Sequence, residues 1–420
     1  MKSEIKQRID QLNNGEIPDG YKKVEFGVFP CDWITDKKLK DLGVFGKGRG
    51  IPGDKMQSEG VPCVGYGDIY MKYNHFHFEK AQSFVDEETA KDSQLIKKGT
   101  LLFTGTGETA DEIGKCVCYN GDDDIFAGGD IITFVSDTVN PLFIAYQQYQ
   151  AFSLKKKASF GQGHSVVHIQ KENLEKLDVA YPPSLQEQSK IAEILMEWDK
   201  AVELQEKIIE KLYTKRYAIV QRIIKKKDGW HQVLLSTVLR ERNEFATKDD
   251  GYPHASLTKL GVSLKTDRYN RDFLVKSDDK KYKVTHFNDI CYNPANLKFG
   301  VICINKCEFD AIFSPIYVTY EVSPEYNNDF IGAVLCSNDF IRYIRKYEEG
   351  TVYERQAVKS EDFVRGVIWV PDTKDEQDQI ANIISKANNQ IQKEVELCES
   401  LKKQRKALQQ YLLNGIVRVN

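Results

Sequence analysis

The stretches "QEQSKIAEIL" at residues 186–195 and "DEQDQIANII" at residues 375–384 decide the fold, because they are two copies of one helix start. Each copy holds Glu-Gln, then Ile-Ala after two further residues, then another Ile. The copies lie 189 residues apart, well beyond the roughly 20–50 residues of a solenoid repeat. The repeating unit is therefore a whole domain with its connecting helix.

The repeat runs without a gap from 182–224 to 371–413, with eleven identical positions. Steps of four and three residues trace an apolar seam through each copy, which is typical of helices that pack as a coiled coil. The seam residues are Ile191, Leu195, Trp198, Val202, Ile209, Leu212 and Ile219 in the first copy, and Ile380, Ile384, Ile391, Leu401 and Leu408 in the second.

Polar residues interrupt the seam at the same two rungs of both copies, Gln205/Glu394 and Arg216/Arg405. Two interpretations remain open at this point. These side chains either reach past the seam to solvent or fix the register of the two helices, as polar seam residues can.

A proline precedes each long helix, in "YPPSLQEQ" and "VPDTKDEQ". Because the residue before proline prefers an extended conformation, we predict that strands end there, in "LDVAYP" (177–182) and "GVIWVP" (366–371). Ser184 and Thr373 are the expected N-caps, and Glu187 and Glu376 three residues later would complete capping boxes.

Composition is that of an ordinary globular protein, with 420 residues, 41% hydrophobic and 29% charged. No apolar run approaches the roughly 18 residues that a membrane span needs, and the charged start has no signal-peptide core. Nine scattered cysteines indicate free thiols in a reducing cytoplasm. With a net charge of −3, any DNA-binding surface must come from local segregation of basic residues.

Two stretches are superficially similar to methyltransferase motifs, "FTGTG" (103–107) and "YNPAN" (292–296). They occupy equivalent positions in the two repeats, 189 residues apart, so they are not two halves of one cofactor site. A strand-end turn that needs glycine explains the first. Cys116 and Cys118 lack the paired spacing of a zinc site, and strand alternation predicts that both pack in the core. We predict no catalytic residue and no metal site.

The opening "DGYKKVEFGVFPCDW", the doubled helix start, and the glycine loops "GQGHSVVHI" and "GTVYERQAV" resemble the specificity (S) subunits of type I restriction–modification enzymes along nearly the whole chain. The resemblance implies an α+β protein. Its two α/β target recognition domains are joined by two long helices packed as an antiparallel coiled coil, with pseudo-two-fold internal repetition. The predicted segments are an N-terminal helical segment (1–20), recognition domain 1 (21–181), a central helix (182–226), recognition domain 2 (227–370) and a C-terminal helix (371–420).

Further expectations follow from the resemblance. Each recognition domain would read one half of a split DNA target, and the helices would set the spacer and dock two methyltransferase subunits. Restriction/translocase subunits would join through the methyltransferases. The chain itself would be non-catalytic, while S-adenosylmethionine, ATP and magnesium belong to the partners. A helix over 184–224 is long enough for this role, at roughly 60 Å against about 34 Å for one turn of DNA.

Basic loops in each half are the candidate DNA contacts. In the first half, "FGKGRG" places Lys47 and Arg49 among glycines, and "KKKASFGQGH" holds three lysines followed by polar residues. Basic side chains suit phosphates, and Gln or His suits base edges. The candidate residues are Lys47, Arg49, Lys155, Lys156, Gln162 and His164 in the first half, and Lys265, Arg268, Tyr269, Arg271, Tyr353, Arg355 and Gln356 in the second.

Two alternatives remain. One is an orphan DNA-binding protein of the same architecture that acts without methyltransferase partners; co-purification with a methyltransferase would distinguish it. The other is a coiled-coil scaffold for proteins alone, which the matching basic loops disfavour and a DNA-binding assay would decide.

Overall fold

The computed structural model describes residues 3–73, 76–163, 166–247, 250–258, 261–264, 281–349 and 356–419. The chain divides into two compact units. Unit 1 contains Met1–Glu206 and Leu397–Asn420, and unit 2 contains Lys207–Glu396. Each long helix therefore contributes one part to each unit.

Unit 1 holds most of the first half of the chain. Its helices are α1 (Ser3–Asn13), α2 (Tyr66–Met71), α3 (Glu87–Lys91), α4 (Pro141–Gln147), α5 (Ala151–Phe160), α6 (Lys171–Leu174) and the start of α7 (Leu185–Ile223). Its strands are β1 (Tyr21–Val24), β2 (Gly27–Pro30), β3 (Val44–Lys47), β4 (Val61–Val64), β5 (His77–Phe78), β6 (Ser83–Val85), β7 (Gln94–Ile96), β8 (Leu101–Thr104), β9 (Thr106–Gly107), β10 (Cys116–Tyr119), β11 (Ile125–Ala127), β12 (Ile131–Val135) and β13 (Val167–His168).

Two sheets form the body of unit 1, with strand orders β3-β12-β8-β10-β5 and β6-β4-β11-β7. Strand β10 is buried on both faces. Its Cys116 and Cys118 pack in one hydrophobic cluster with Trp33 and Phe103, whereas Val117 and Tyr119 pack in another. This alternation confirms that the two cysteines are core residues.

Unit 2 holds most of the second half of the chain. Its helices are α8 (Leu235–Val238), α9 (Asn328–Leu335), α10 (Asn338–Ile344), α11 (Ser360–Phe363) and the start of α12 (Lys374–Leu413). Its strands are β14 (Trp230–Leu234), β15 (Leu239–Glu241), β16 (Phe245–Ala246), β17 (Ala255–Thr258), β18 (Gly261–Leu264), β19 (Tyr282–Thr285), β20 (Ile290–Tyr292), β21 (Ile302–Ile304), β22 (Ala311–Phe313), β23 (Val318–Val322) and β24 (Val367–Pro371).

The two units repeat one sheet topology although their sequences diverge. The order β15-β23-β20-β21 of unit 2 matches β3-β12-β8-β10 of unit 1. Strands β8 and β20 begin at Leu101 and Ile290, 189 residues apart, which is the offset of the helix repeat. Mixed sheets with two long helices confirm the predicted α+β class.

The strands predicted before the long helices form differently in the two units. In unit 2, β24 ends at Pro371 and pairs antiparallel with β14. In unit 1 the equivalent stretch makes only isolated bridges among the described residues, Ile34 to Tyr181 and Lys38 to Asp178. The strand prediction is therefore right for 366–371 and wrong for 177–182.

The glutamine of the doubled motif clamps a neighbouring helix in each unit. In unit 1 the Asn140 amide, at the N-cap of α4, donates to Gln188 Oε1 at 2.8 Å. In unit 2 the Asn327 amide, at the N-cap of α9, donates to Gln377 Oε1 at 3.0 Å. Gln188 and Gln377 are both buried. The motif therefore fixes the position of α4 or α9 against the long helix of its unit.

The predicted N-caps are present, but the glutamates have other partners. Ser184 Oγ accepts the Glu187 amide at 3.3 Å, and Thr373 Oγ1 accepts the Glu376 amide at 3.4 Å. The Glu187 carboxylate accepts Arg418 Nε at 2.6 Å, and Glu376 Oε1 accepts Trp230 Nε1 at 3.0 Å. Instead of closing capping boxes, both carboxylates anchor residues from distant parts of the chain.

The long helices α7 and α12 have 39 and 40 residues, or about 60 Å each. They pair antiparallel within each unit. In unit 1, Asp199 Oδ1 lies 2.5 Å from Arg405 Nε, and Glu206 lies 3.0 Å from Lys402. In unit 2, Arg216 donates to Asn388.

The contacts of Arg405 and Arg216 identify the role of the Arg216/Arg405 position, where polar residues interrupt the seam. Arg216 and Arg405 are equivalent in the repeat, as are Asp199 and Asn388, so the two cross-helix pairs are copies of one contact. Asp199 is 3% exposed and also accepts Tyr146 Oη at 2.6 Å. This geometry favours the register-fixing interpretation for Arg405 over a side chain that reaches past the seam.

All the predicted seam residues are buried or partly buried. Those that are buried are Ile191, Leu195, Val202, Ile380, Ile384 and Ile391, and those that are partly buried are Trp198, Ile209, Leu212, Ile219, Leu401 and Leu408.

Candidate nucleic-acid interface

Lys47 and Arg49 sit where strand β3 ends at the edge of unit 1. Both are exposed, and neither makes an ion pair with any described residue. Gly48 between them is required, because a Cβ there would lie 1.9 Å from the Gly128 carbonyl oxygen. The backbone at Gly48 therefore packs closely against Gly128, while the side chains of Lys47 and Arg49 are exposed to solvent.

Gln162 lies in a second loop of unit 1. Its amide donates to the His168 carbonyl at 3.0 Å, and the His168 amide donates back at 2.9 Å. His168 Nδ1 lies 3.2 Å from Thr106 Oγ1, which joins this loop to β9. Gln162 and His168 are exposed, whereas His164 lies outside the described residues.

Backbone hydrogen bonds bring these loops to one edge. The Gly48 amide donates to the Ile131 carbonyl at 2.8 Å, and Gly105 donates to Asp130 at 2.8 Å. Ile169 in turn donates to Gly105 at 3.0 Å. The ends of β3, β8 and β13 therefore meet around the start of β12, and the candidates Lys47, Arg49 and Gln162 share this edge.

The lysine run on α5 divides between surface and core. Lys155 is exposed, and Lys156 Nζ lies 5.6 Å from the centroid of the Phe160 ring. Lys157 is 1% exposed and donates to the Gly114 carbonyl at 2.9 Å. Burial lowers the pKa of Lys157 to about 8. Only the first two lysines of the run are available to phosphates.

An open groove of about 1140 Å³ borders the 104–113 loop. Its lining includes the exposed side chains of Glu108, Asp111 and Glu112, the partly buried Lys115 and the buried Lys157. The three exposed carboxylates repel phosphates. DNA contact on this side is therefore expected at Lys47, Arg49 and Lys155 and not in the groove.

In unit 2 the structure places one of the candidates. Gln356 is partly exposed and precedes Ala357, which bridges to Glu349. The remaining candidates, Lys265, Arg268, Tyr269, Arg271, Tyr353 and Arg355, lie outside the described residues.

Sequence reasoning missed two polar residues at the unit 1 edge, Thr106 and His168. The available signal was the "TGTG" turn itself: a Cβ at Gly107 would lie 2.7 Å from Tyr70 Oη, so the turn must pack closely. The equivalent "YNPAN" stretch begins in the core. Tyr292 is fully buried, donates to the Val358 carbonyl at 3.1 Å and stacks on Phe363.

Within the described ranges, no group of three or more His, Cys, Asp or Glu side chains is placed to hold a metal ion. Likewise, none of the described helices combines the length and apolar character needed to cross a membrane.

Comparisons with known proteins connect this geometry to a family. Residues 30–214 match the model of the type I restriction modification DNA specificity domain. A comparison with curated protein sequences found no significant match. The fold is similar to the type I restriction-modification S subunit from M. genitalium, with a TM-score of 0.54 at 13% identity, covering 90% of this chain and 96% of that one.

A second similar structure comes from work on complex assembly and conformational transition of the type I R-M system. Its TM-score is 0.56 at 11% identity, covering 96% of this chain and 100% of that one. Residues 30–214 are therefore similar to the type I restriction modification DNA specificity domain, and the chain has the fold of a type I S subunit along nearly its whole length.

Proposed function

We propose that each unit reads one half of a bipartite DNA target for a type I restriction–modification complex. The observation that carries the proposal is that the two units share a framework but differ in their loops. Both units share the sheet order, the Asn–Gln clamp and the cross-helix Arg contact, while their loops differ. Two units that bind different half-sites independently need the same framework but different DNA-contacting loops.

The reading surface of unit 1 is the edge formed by Lys47, Arg49 and Gln162, with Lys155 and Lys156 on the adjoining helix. Lysine and arginine there position the protein on phosphates, while Gln162 and His168 offer donors and acceptors to base edges. In unit 2, Gln356 is the corresponding candidate, from the matching stretch "GTVYERQAV" (350–358) of the sequence. The chain supplies recognition and no chemistry; S-adenosylmethionine, ATP and magnesium act on the partner subunits.

The long helices serve as the frame. Their length fixes the spacer between half-sites, and two methyltransferase subunits dock on them, with restriction/translocase subunits joining through the methyltransferases. Exposed apolar side chains at equivalent positions support docking. Ile208 of unit 2 is 41% exposed and Leu397 of unit 1 is 47% exposed, and the repeat offset of 189 relates them.

An exchange experiment tests the proposal. Residues 227–370 are replaced by the matching region of another type I S subunit, and the methylated sequence is determined by methylome sequencing of cells that carry the complex. We expect one half of the target to change. The other half and the spacer stay as before, because unit 1 and both helices are untouched. The unexchanged chain is the control.

Three other results would contradict parts of the proposal. If both half-sequences change, the units do not read independently. A changed spacer would mean that the helices do not set it. If the chain binds DNA but never purifies with a methyltransferase, it is an orphan DNA-binding protein of the same architecture.

A further inference from the structure

A run of three lysines follows the end of α7 in unit 2. Lys225, Lys226 and Lys227 follow the last residue of the helix, Ile223, after one intervening residue, and all three are exposed. None of the three makes an ion pair with any residue in the described part of the chain. The nearest acidic residue along the chain is Asp228. The run is therefore a concentration of positive charge in a chain whose net charge is −3.

Stabilisation of the helix end does not explain the run. Basic residues near a helix C-terminus interact favourably with its dipole. If this interaction explained the run, basic residues would be expected at the end of both long helices. Yet the last turn of α12 has no basic residue, and the positions equivalent to Lys225–Lys227 are Asn414, Gly415 and Ile416. The lysines belong to one copy of the repeat only.

A further lysine of unit 2, Lys346, contacts an aromatic ring of the groove that two lysines of the run line. Lys225 and Lys226 line an open groove of about 330 Å³ together with Tyr343 and Trp369. Lys226 Nζ lies 4.0 Å from the centroid of the Trp369 ring, and Lys346 Nζ lies 4.1 Å from that of Tyr343. Aromatic faces hold ammonium groups without neutralising them.

The nearby carboxylates are already paired. Asp339, on the groove, lies 2.7 Å from Arg342, and Glu348 lies 2.9 Å from Arg345. After these pairs are set aside, the three lysines of the run and Lys346 remain. They are opposed by Asp228 and by Asp372, whose amide donates to the Gly229 carbonyl at 3.1 Å and whose carboxylate binds His231. The surface defined by Lys225, Lys226, Lys227 and Lys346, here called the lysine surface, carries a net excess of positive charge.

The position of Lys346 indicates which anion this surface meets. It lies in the short 3₁₀ helix Arg345–Tyr347 after α10, a few residues before the 353–356 stretch of the sequence that holds DNA-reading candidates of unit 2. In unit 1 the helix that carries Lys155 and Lys156 precedes the equivalent loop in the same way. Phosphates that flank a base-reading loop are the anions such lysines contact.

We propose that the lysine surface binds the phosphates of duplex DNA beside the half-site read by unit 2. The inference rests on the proposed function and adds a contact that carries no sequence information. Lysine is a compact charge with rotatable donors, so this surface supplies affinity and salt dependence and leaves the target sequence unchanged.

The test measures binding of the full-length chain to two fluorescein-labelled 40-base-pair duplexes over a series of KCl concentrations. One duplex contains the target found by methylome sequencing, and the other is a scramble of it. Each phosphate contact contributes about 0.9 to the slope of log K against log salt. Lys225→Gln, Lys226→Gln and Lys227→Gln together should lower that slope by about 2 to 3 on both duplexes.

Two further variants define the controls. Lys386→Gln, Lys393→Gln and Lys403→Gln remove the same charge from exposed positions of α12 and should leave the slope unchanged. Arginine at 225–227 should retain the wild-type slope. Should the glutamine triple variant fold poorly, Lys225→Gln with Lys346→Gln gives a loss of about 2 by the same reasoning.

The outcomes separate the hypotheses. An unchanged slope with intact preference for the target overturns the lysine surface alone. A lower melting temperature, or loss of a co-purified methyltransferase, with an unchanged slope does the same and assigns the run to the helix end or to a protein partner. Equal binding of wild-type protein to target and scramble would instead overturn the proposed function.

Discussion

At the scale of single residues, Lys157 shows how one contact decides what a charged run does. Its neighbours Lys155 and Lys156 face outward, whereas Lys157 is buried and donates to the carbonyl of Gly114. Gly114 has a φ of +68°, a conformation that favours glycine. A buried ammonium without a carboxylate partner is costly, and the cost appears as a pKa lowered to about 8.

This burial predicts a pH-dependent stability difference. The folded pKa of Lys157 is about 8 against 10.5 for an unperturbed lysine, so the unfolded chain binds more protons between these values. Wild-type stability therefore rises with pH over this interval. Between pH 7 and 10 we expect wild type to gain about 2 kcal/mol relative to Lys157→Met. Urea unfolding at each pH measures this, with Lys156→Met as control. Parallel curves for wild type and Lys157→Met would contradict it.

At the scale of elements, the two long helices carry one contact in two versions. In unit 1, Arg405 meets Asp199, which is buried and already accepts Tyr146. In unit 2, Arg216 meets Asn388, which is exposed and uncharged. The same arginine rung is therefore a buried ion pair in one unit and a surface hydrogen bond in the other.

The two versions predict unequal costs of mutation. Arg405→Gln leaves the Asp199 carboxylate buried without its cation, which costs about 3 kcal/mol. The matched variant Arg216→Gln should cost less than about 1 kcal/mol. Adding Asp199→Asn to Arg405→Gln should recover most of the loss, because no buried charge remains. Chemical unfolding followed by helix circular dichroism gives the comparison, and equal costs for the two arginine variants would refute the assignment.

The helices were predictable from the sequence and the recognition surface only in part. Spacing of Ile191, Leu195 and Val202 determines a helix face by local geometry alone. The exposure of Lys155 against the burial of Lys157 depends on Gly114, 43 residues earlier. Likewise, Thr106 and His168 became candidates only through pairing of β9 with β13. Contacts between distant segments leave no periodic trace in the sequence.

At the scale of the whole molecule, the repeat presents similar surfaces twice. Ile208 and Leu397 are equivalent, and both are exposed apolar side chains on helices. Because they belong to different units, each is a separate candidate position for one methyltransferase subunit.

Native mass spectrometry of the co-expressed complex tests this arrangement. We expect two methyltransferases per chain for wild type and one for either Ile208→Glu or Leu397→Glu, because a buried charge opposes an apolar contact. The double variant should bind none. Met71→Glu, at an 81% exposed position of α2, is the matched control and should retain two. A one-to-one ratio for wild type at saturating partner would rule the arrangement out.

Unit 1 combines residues from the first 206 positions with residues from 397 onward. This arrangement affects the order in which the two units can fold during synthesis on the ribosome. Leu412 and Leu413 pack in the same cluster as Trp33, Tyr21 Oη donates to the Gly415 carbonyl at 2.7 Å, and Arg418 pairs with Asp32. Unit 2, residues 207–396, is contiguous. At about 5–20 residues per second, its synthesis separates the two parts of unit 1 by roughly 10–40 s. Unit 2 can therefore finish folding before unit 1, and a nascent chain released before Leu412 would leave the Trp33 cluster uncovered.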